Sequence, residues 1–322
     1  MKAPDFFLVG APKSGTTSLA RYLGEHPEIF FSSPKEPYFW CDDFPRLREF
    51  HNMESKEQYL RLFANAGEQH LAVGEGSTNY LYSQTAVSNI LADRPDARFL
   101  VMLRNPVEVV YAMHGTLLYA MNEDVRDFER AWELQSLRRE GQHIPRTCLA
   151  PQFLQYRELA SFGRQMDRFL RIVPASQRHI VLFDDFVSDI RGSYADVLEF
   201  LGVRDDGRSE FPVENASKRL RFRVIQRLIR RPPPWLERPM HPLRQFLMSQ
   251  KKGAIASVLG RFRMEANRPP LRQEFADHLQ DEFREEVAML GELLHRDLTH
   301  WTVRSSKPRR SAVQSSANGL TV

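Results

Sequence analysis

The sequence predicts an α/β protein with a central parallel sheet flanked by helices on both faces, which is a three-layer sandwich. Short apolar runs of strand length alternate along the chain with longer segments whose apolar residues recur at helical spacing. Strands joined through helices run parallel, because the crossover helix returns the chain to the same end of the sheet. Such sheets bind ligands at the carboxyl ends of their strands, so a functional site is expected at that edge.

The first strand is predicted over residues 5–10, and a helix with its apolar face around Leu19 follows it directly. A second helix is predicted to begin at Ser55, because Ser55 and Gln58 have the spacing of a capping box. This helix is expected to end at Gly67.

The remaining strands are predicted over residues 71–75, 98–103 and 179–183. After the third predicted strand, Asn105 can cap a helix and Pro106 can occupy its first turn. A helix over residues 156–172 precedes the fourth strand, and a helix that ends near Gly202 follows it.

The character of the sequence changes after residue 215. Residues 217–231 contain seven basic residues and no acidic one, with apolar residues at helical spacing, which predicts a basic amphipathic helix. Such a helix would form a lid over an acceptor cleft, contact an anionic lipid or polysaccharide surface, or be a plain surface helix.

A last long helix is predicted from Leu271 to Leu294, where apolar residues share one face. We therefore expect a single domain over residues 1–304 with a basic, Pro-rich insertion at about 217–263. Residues 305–322 are small, polar and basic, which predicts a disordered tail.

The composition is that of an ordinary globular protein, and 322 residues are enough to bury one large core. The net charge of +4 favours an anionic partner, although an excess of this size often serves solubility alone. Cys41 and Cys148 do not have the spacing of a metal-type pair, which is typical of a reducing compartment. No run approaches the ~18 apolar residues of a membrane span and no signal peptide is recognised, so we expect a cytoplasmic protein.

The loop after the first predicted strand consists of Gly10, Ala11, Pro12, Lys13, Ser14, Gly15, Thr16 and Thr17. At such a strand-to-helix junction, backbone N–H groups and the helix dipole form an anion site. The glycines have Walker A spacing, but Thr16 stands where a nucleotide triphosphatase has its lysine, and the lysine is at position 13. The loop therefore predicts a site for a phosphate-type ligand.

The third predicted strand gives an independent indication. A triphosphatase would end such a strand with a magnesium-binding aspartate, whereas this strand ends at Arg104. A cation in this place favours a metal-free site that holds an anion through guanidinium hydrogen bonds. The alternative is a surface arginine paired with a carboxylate.

Several motifs in a fixed order resemble the sulfotransferases of the heparan-sulfate and bacterial type. They are FFLVGAPKSGTT at 6–17, HP at 26–27, KEPYFW at 35–40, GEGSTNYL at 74–81, LRNP at 103–106, NASK at 215–218 and RDLTHW at 296–301. The likeness spans about residues 5–302, and several ordered motifs are more specific than any one of them.

The resemblance implies a P-loop-like fold with 3′-phosphoadenosine-5′-phosphosulfate (PAPS) as the donor and no metal ion. Residues 12–17 would hold the 5′-phosphosulfate, and Lys13 would neutralise charge on the bridging oxygen as the sulfuryl group departs. The family's Lys-Glu-Pro segment supplies a catalytic base, which falls on Glu36 and would take the proton of an acceptor hydroxyl or amine. Arg104 would hold the 3′-phosphate. The alternative for Glu36 is that it only pairs with Lys35 or a neighbouring arginine.

The sequence departs from the family pattern at the 3′-phosphate. The family usually has a serine eight residues after this arginine, where this chain has Ala112, so one hydrogen bond is missing. Lys218 or Arg219 would compensate, or both belong to a solvated basic face, and the glycine-containing lysine loop of the animal enzymes is not recognised.

Three further residues are weaker candidates. Glu75 would position substrate or bond to the first loop. His114 lies on the helix after Arg104 and is a second candidate base, although unassigned histidines such as His26 and His114 are more often packing or surface residues.

The acceptor, a small molecule, a glycan or a lipid, is not specified by any motif. Aromatic residues in poorly patterned stretches would cover either a sugar ring or an apolar scaffold; these are Trp40, Phe44, Tyr119 and Trp235. Two rival functions stay open. One is a small-molecule kinase that uses ATP and magnesium, and the other is a non-catalytic polyanion-binding module. No nucleic-acid motif is recognised, so we expect no nucleic-acid partner.

Overall fold

A computed structural model describes residues 2–212, 218–220, 263–265 and 269–303 of the protein. Five strands form one sheet: β1 (Phe6–Gly10), β2 (Ile29–Phe31), β3 (Ala72–Gly76), β4 (Arg98–Leu103) and β5 (Arg178–Leu182). Their order is β2-β3-β1-β4-β5, and each neighbouring pair is parallel. The predicted fold class is confirmed. Of these five strands, only β2 escaped prediction, since three residues are too few for a periodic pattern.

The helices alternate with these strands. They are α1 (Thr16–Gly24), α2 (Pro45–Phe50), α3 (Lys56–Arg61), α4 (Ala86–Asp93), α5 (Pro106–Ala120), α6 (Phe128–Glu133), α7 (Gln135–Arg139), α8 (Tyr156–Leu159), α9 (Phe162–Ile172), α10 (Phe183–Ser188), α11 (Ile190–Leu201), α12 (Gln273–Glu282) and α13 (Arg284–Leu294).

Three helix ends agree with the local sequence signals. Ser55 and Gln58 form the predicted capping box at the start of α3. The Asn105 side chain accepts a hydrogen bond from the Val107 N–H at the start of α5. Gly202 follows α11 with a φ of 67°, the left-handed conformation that favours glycine.

Alternate residues of the buried strands divide the core into two layers. Phe6 and Leu8 of β1 pack with the apolar faces of α1 and α11. Phe7 and Val9 face the opposite side and pack with residues of α4, α5, α9 and α13. Because β1 is buried on both faces, its residues form a continuous apolar run rather than an alternating one.

Four predicted helices differ from the structure. The helix expected to run from Ser55 to Gly67 ends at Arg61. The helix predicted over 156–172 is divided into α8 and α9, and the last helix is divided at the buried Phe283. The helix predicted over 217–231 is wrong at its start, because Lys218–Leu220 is a strand, β6, that pairs antiparallel with β7 (Arg263–Glu265). A partner far away in the sequence sets this conformation, and local periodicity cannot reveal it.

Other expectations for this part of the chain lie outside the described residues. These are the rest of the basic helix, most of the Pro-rich insertion and the tail over 305–322. The single-domain boundary at residue 304 stays a prediction.

The last described residues return to the carboxyl edge of the sheet. The Trp301 indole is buried and donates a hydrogen bond to Asp184 Oδ2 at 2.7 Å. The Asn105 side chain donates to the Trp301 carbonyl oxygen at 3.1 Å. Arg296 pairs with Asp185 at 2.9 Å. The C-terminal segment is therefore attached to the residues that follow β4 and β5.

A fully buried ion pair lies in the layer around α5 and α7. The side chains of Arg138 and Glu123 are 0% exposed and their atoms approach to 2.7 Å. Tyr156 also donates a hydrogen bond to Glu123 at 2.7 Å. Burial alone would raise the pKa of Glu123, but the bonds from Arg138 and its neighbours outweigh burial and lower that pKa.

We expect Arg138→Met to lower the free energy of unfolding by about 3–5 kcal/mol, because it leaves the Glu123 charge buried without its partner. The neighbouring Arg139 provides a matched control, since its pair with Glu158 is exposed. Arg139→Met should cost less than ~1 kcal/mol. Urea denaturation of both variants checks this, and equal losses would contradict it.

Candidate functional site

The candidate site lies at the carboxyl edge of the sheet. β1 leads into the loop 10–17, and β4 ends one residue before Arg104. β2 and β3 lead into the segments that hold Glu36 and Thr78. Because these neighbouring strands are parallel, residues far apart in the sequence meet at one edge.

The loop 10–17 places the N-terminus of α1 at this edge. Gly15 precedes the helix with a φ of 87°, and a Cβ atom there would lie 3.1 Å from the Phe183 ring. Among the described residues, no side chain caps this end of α1, so its first N–H groups and its dipole are suited to an anion. Ser14 and Thr16 are buried, whereas Thr17 is exposed.

Arg104 connects this loop to the neighbouring strand. Its Nη1 donates to the Lys13 carbonyl oxygen at 3.1 Å, and its Nε donates to Glu108 at 2.8 Å. The guanidinium carbon lies 4.3 Å from the centre of the Phe183 ring. Arg104 is therefore paired with a carboxylate, as the alternative expected. The same side chain also bonds to the loop through the Lys13 carbonyl oxygen. Its role in donor binding stays a prediction.

Glu36 lies at the same edge, and its side chain is 33% exposed. Its Oε2 accepts a hydrogen bond from the Tyr38 hydroxyl at 2.6 Å, and its Oε1 accepts from Thr78 at 3.1 Å and from Lys35 at 3.1 Å. Burial would raise the pKa of Glu36, but the Lys35 charge and the bonds from Tyr38, Lys35 and Thr78 outweigh it and lower that pKa. The carboxylate is therefore ionised at neutral pH.

The segment around Glu36 has an unusual backbone that its neighbours hold. Glu36 and Tyr38 have φ values of 67° and 58°, which are uncommon for residues other than glycine. The Glu36 N–H donates to the Gly76 carbonyl oxygen at 2.9 Å, and the Tyr38 N–H donates to Ser77 Oγ at 3.1 Å. The segment after β3 thus fixes the position of the candidate base.

One contact joins the candidate base to the anion loop. Lys35 Nζ lies 3.1 Å from Glu36 Oε1 and 3.4 Å from Thr16 Oγ1. Together with the bond from Arg104 to Lys13, this contact shows that the structure brings the predicted donor loop, arginine and base to one place.

Glu75 is a fully buried carboxyl group next to the site. It accepts hydrogen bonds from Tyr59 and Tyr80 at 3.1 and 2.8 Å and from Ser77 at 2.9 Å. Burial raises the pKa of Glu75 to about 7, and the three hydroxyl groups offset only part of that effect. Glu75 is 0% exposed and bonds to the Ser77 segment and not to the first loop. A role for Glu75 in positioning substrate stays a prediction.

His114 packs among aromatic rings. It is buried, its ring centre lies 5.1 Å from that of Phe128 and 6.0 Å from that of Tyr156, and its Nε2 lies 2.9 Å from the Val125 carbonyl oxygen. His26 is buried too, and its Nδ1 accepts from a backbone N–H at 3.1 Å. Both surroundings favour the packing interpretation, and His114 as a base stays an untested prediction.

Other predicted positions have clear locations but no settled role. Ala112 is partly buried on α5, and Lys218 begins β6. Trp40 and Phe44 are buried in the core, and their contact with an acceptor stays a prediction. Tyr119 is partly buried, and Trp235 lies outside the described residues.

Sequence reasoning missed four residues that shape the site. Tyr38, Thr78 and Asn79 lie within the recognised motifs but were given no role. Thr78 and Asn79 come shortly after a predicted strand, which could have drawn attention to their polar groups. Phe183 was interpreted as the end of a strand, and no sequence signal placed its ring against Arg104.

No group of three or more His, Cys, Asp and Glu side chains suited to a metal ion occurs in the ranges that the structure describes. Independence from metal ions stays a prediction.

With fold and site in place, comparisons define the class of the protein. Residues 4–207 match the model of the sulfotransferase family, and the chain belongs to that family. The resemblance noted in the sequence is confirmed.

The chain is similar to enzymes of animals and bacteria. It is 25% identical to rat carbohydrate sulfotransferase 15 over 80% of this chain and 52% of that protein. It is 23% identical to mouse bifunctional heparan sulfate N-deacetylase/N-sulfotransferase 3 over 92% of this chain and 30% of that protein. The crystal structure of a sulfotransferase from Alicyclobacillus acidocaldarius matches with a TM-score of 0.67 and 26% identity, covering 94% of this chain and all of that one. The chain thus spans about half or less of the length of these animal relatives.

The expectation of a cytoplasmic protein is wrong. The relatives include the membrane-associated sulfotransferase kil1 of Dictyostelium discoideum, which is 30% identical over 33% of this chain and 21% of that protein. The expectation rested only on the absence of a recognised signal peptide or membrane span. Such an absence does not determine where a protein is located. Across the described ranges, no helix has both the length and the apolar character to cross a membrane.

Glu75 should make stability depend on pH. Its pKa is 4.5 ordinarily and about 7 in the fold, so between these values the folded state keeps a proton that the unfolded state releases. The free energy of unfolding should therefore fall by about 3 kcal/mol as pH rises from ~4.5 to ~7, at ~1.4 kcal/mol per pKa unit.

Urea denaturation at half-unit pH steps measures this slope. Glu75→Gln should remove that component of the slope, because the amide does not titrate. An unchanged slope in Glu75→Gln would show that Glu75 does not titrate in this range.

Proposed function

We propose that the protein transfers a sulfuryl group from PAPS to a hydroxyl or amine of a glycan acceptor, with Glu36 as the base. The observation that carries this proposal is the placement of an ionised, partly exposed carboxylate beside an anion loop. Lys35 Nζ lies within hydrogen-bond distance of both Glu36 and Thr16, which supports placing the proposed base and the proposed donor loop in one site.

The N-terminus of α1 supports donor binding. The uncapped N–H groups after Gly15 and the helix dipole would hold the 5′-phosphosulfate. Lys13 would neutralise the charge that develops on the bridging oxygen. Arg104 would bind the 3′-phosphate through guanidinium N–H groups beyond the three that bond to Lys13 and Glu108.

Glu36 would act on the acceptor. As the acceptor oxygen or nitrogen attacks sulfur in line, Glu36 takes its proton, and the electrons of the broken sulfur–oxygen bond pass to the departing 3′,5′-adenosine bisphosphate (PAP). Tyr38, Thr78 and Lys35 hold the carboxylate in one orientation. Its lowered pKa keeps it ready to accept a proton over the whole neutral range.

A glycan acceptor is supported by the relatives. Those matched along most of this chain are named for carbohydrate and heparan sulfate sulfation. We infer the same broad class of acceptor here.

Titration calorimetry with PAP, ATP and ATP-magnesium tests the donor. PAP should bind much the tightest without metal, and Lys13→Ala should weaken PAP binding and turnover together. Glu36→Gln should keep PAP affinity within about twofold but lower turnover by about 10²- to 10⁴-fold, as for loss of a general base. Turnover is followed as PAP release with heparosan and chondroitin oligosaccharides as acceptors. Preference for ATP-magnesium would favour a kinase and contradict the proposal.

The 3′-phosphate role of Arg104 is separable from its support of the loop. PAP and AMP differ only in the 3′-phosphate, so Arg104→Met should weaken PAP binding by about 10-fold or more and leave AMP binding nearly unchanged. Calorimetry with both nucleotides measures the difference. Equal losses for PAP and AMP would mean that Arg104 acts only through Lys13.

A further inference from the structure

Asn79 lies next to the candidate base and is 2% exposed as a residue. Its Nδ2 lies 3.4 Å from the Tyr38 hydroxyl oxygen. The Tyr38 hydroxyl in turn lies 2.6 Å from Glu36 Oε2. One side chain therefore separates Asn79 from the carboxylate that would take the acceptor proton.

The hydrogen-bond network fixes the orientation of the Asn79 amide. A tyrosine hydroxyl has a single hydrogen, and that of Tyr38 goes to the Glu36 carboxylate. The group of Asn79 that faces Tyr38 must therefore donate, which makes it the NH₂ group. The amide oxygen consequently points away from Tyr38.

This amide oxygen, Asn79 Oδ1, has no hydrogen-bond partner among the described residues. Leaving a buried acceptor unpaired costs about 1–3 kcal/mol, so such atoms are rare in native proteins. Asn122 shows the usual outcome: it is also buried, and its Oδ1 accepts from the Leu149 N–H at 2.8 Å. Gln280 has the other such amide oxygen in these ranges, but it is partly exposed and lies on α12.

We propose, building on the function above, that Asn79 Oδ1 accepts a hydrogen bond from the acceptor substrate. The donor is a hydroxyl or N–H group beside the group that reacts at Glu36. Asn79 thereby selects acceptors that carry two neighbouring donor groups, as polyols and amino sugars do. A site built to bond such a group discriminates against analogues that lack it, because its own polar atom is then left unpaired.

Asn79→Leu tests the proposal, since leucine keeps the approximate size and removes the amide oxygen. With PAPS saturating and heparosan or chondroitin oligosaccharides as acceptors, acceptor KM should rise by ~10-fold or more. PAP affinity should stay within about twofold. Asn79→Ala should behave in the same direction if the leucine variant folds poorly.

Two variants separate this role from others. Asn122→Leu removes a buried amide whose oxygen is already bonded inside the fold, so it should lower the melting temperature without changing acceptor KM. Tyr38→Phe removes a donor to Glu36 and should lower kcat more than it raises acceptor KM.

The outcomes are distinguishable. Normal acceptor KM in a folded Asn79→Leu protein would overturn this inference while leaving the proposed function intact, and it would indicate that only an ordered water bonds to the amide oxygen. A loss of PAP affinity in Asn79→Leu would also overturn it. Failure of the wild-type protein to bind PAP, or to sulfate either glycan, would overturn both proposals.

Discussion

The contacts of Lys35 with Glu36 and Thr16 are the interaction on which the arrangement of the site depends. The Lys35 ammonium group acts with the Tyr38 and Thr78 hydroxyl groups to lower the pKa of Glu36. Its Nζ also lies 3.4 Å from Thr16 Oγ1, at the helix end that is suited to an anion. Without a cation between them, an anion at the loop and the Glu36 carboxylate would repel each other, since like charges at such distances disfavour one another. This arrangement suits the proposed base and an anionic ligand placed side by side.

Two buried glutamates illustrate how partners, and not burial alone, decide protonation. Glu123 is held ionised because it faces a guanidinium. Glu75 meets only neutral hydroxyl groups in its hydrogen bonds, and its pKa rises to about 7. Glu123 lies in the layer around α5 and α7, where it bonds to Arg138 and Tyr156. Glu75 lies beneath the segment that positions the base.

Much of the sheet and of the donor loop was predictable, because both rest on local patterns. The apolar runs located four strands, and the parallel arrangement required that Gly15 and Arg104 meet at one edge. What escaped prediction depends on contacts between distant parts of the chain. The periodicity of apolar residues predicts neither the pairing of β6 with β7 nor the packing of Phe183 against Arg104. Asn79 belongs to a motif that was recognised in the sequence. That its amide oxygen lacks a partner follows only from the hydrogen bonds of the folded chain.

The attachment of Trp301 shows that the candidate donor-binding edge also contacts a segment outside the family match. The family match ends at residue 207, yet Asn105, next to Arg104, holds the Trp301 carbonyl oxygen, and Asp184, next to Phe183, holds its indole. The arginine and the ring that packs on it are thus braced by a segment nearly a hundred residues beyond the matched region. A polypeptide that contained the matched region alone would carry every recognised donor motif before residue 207. It would still lack the two hydrogen bonds that join Trp301 to Asn105 and Asp184.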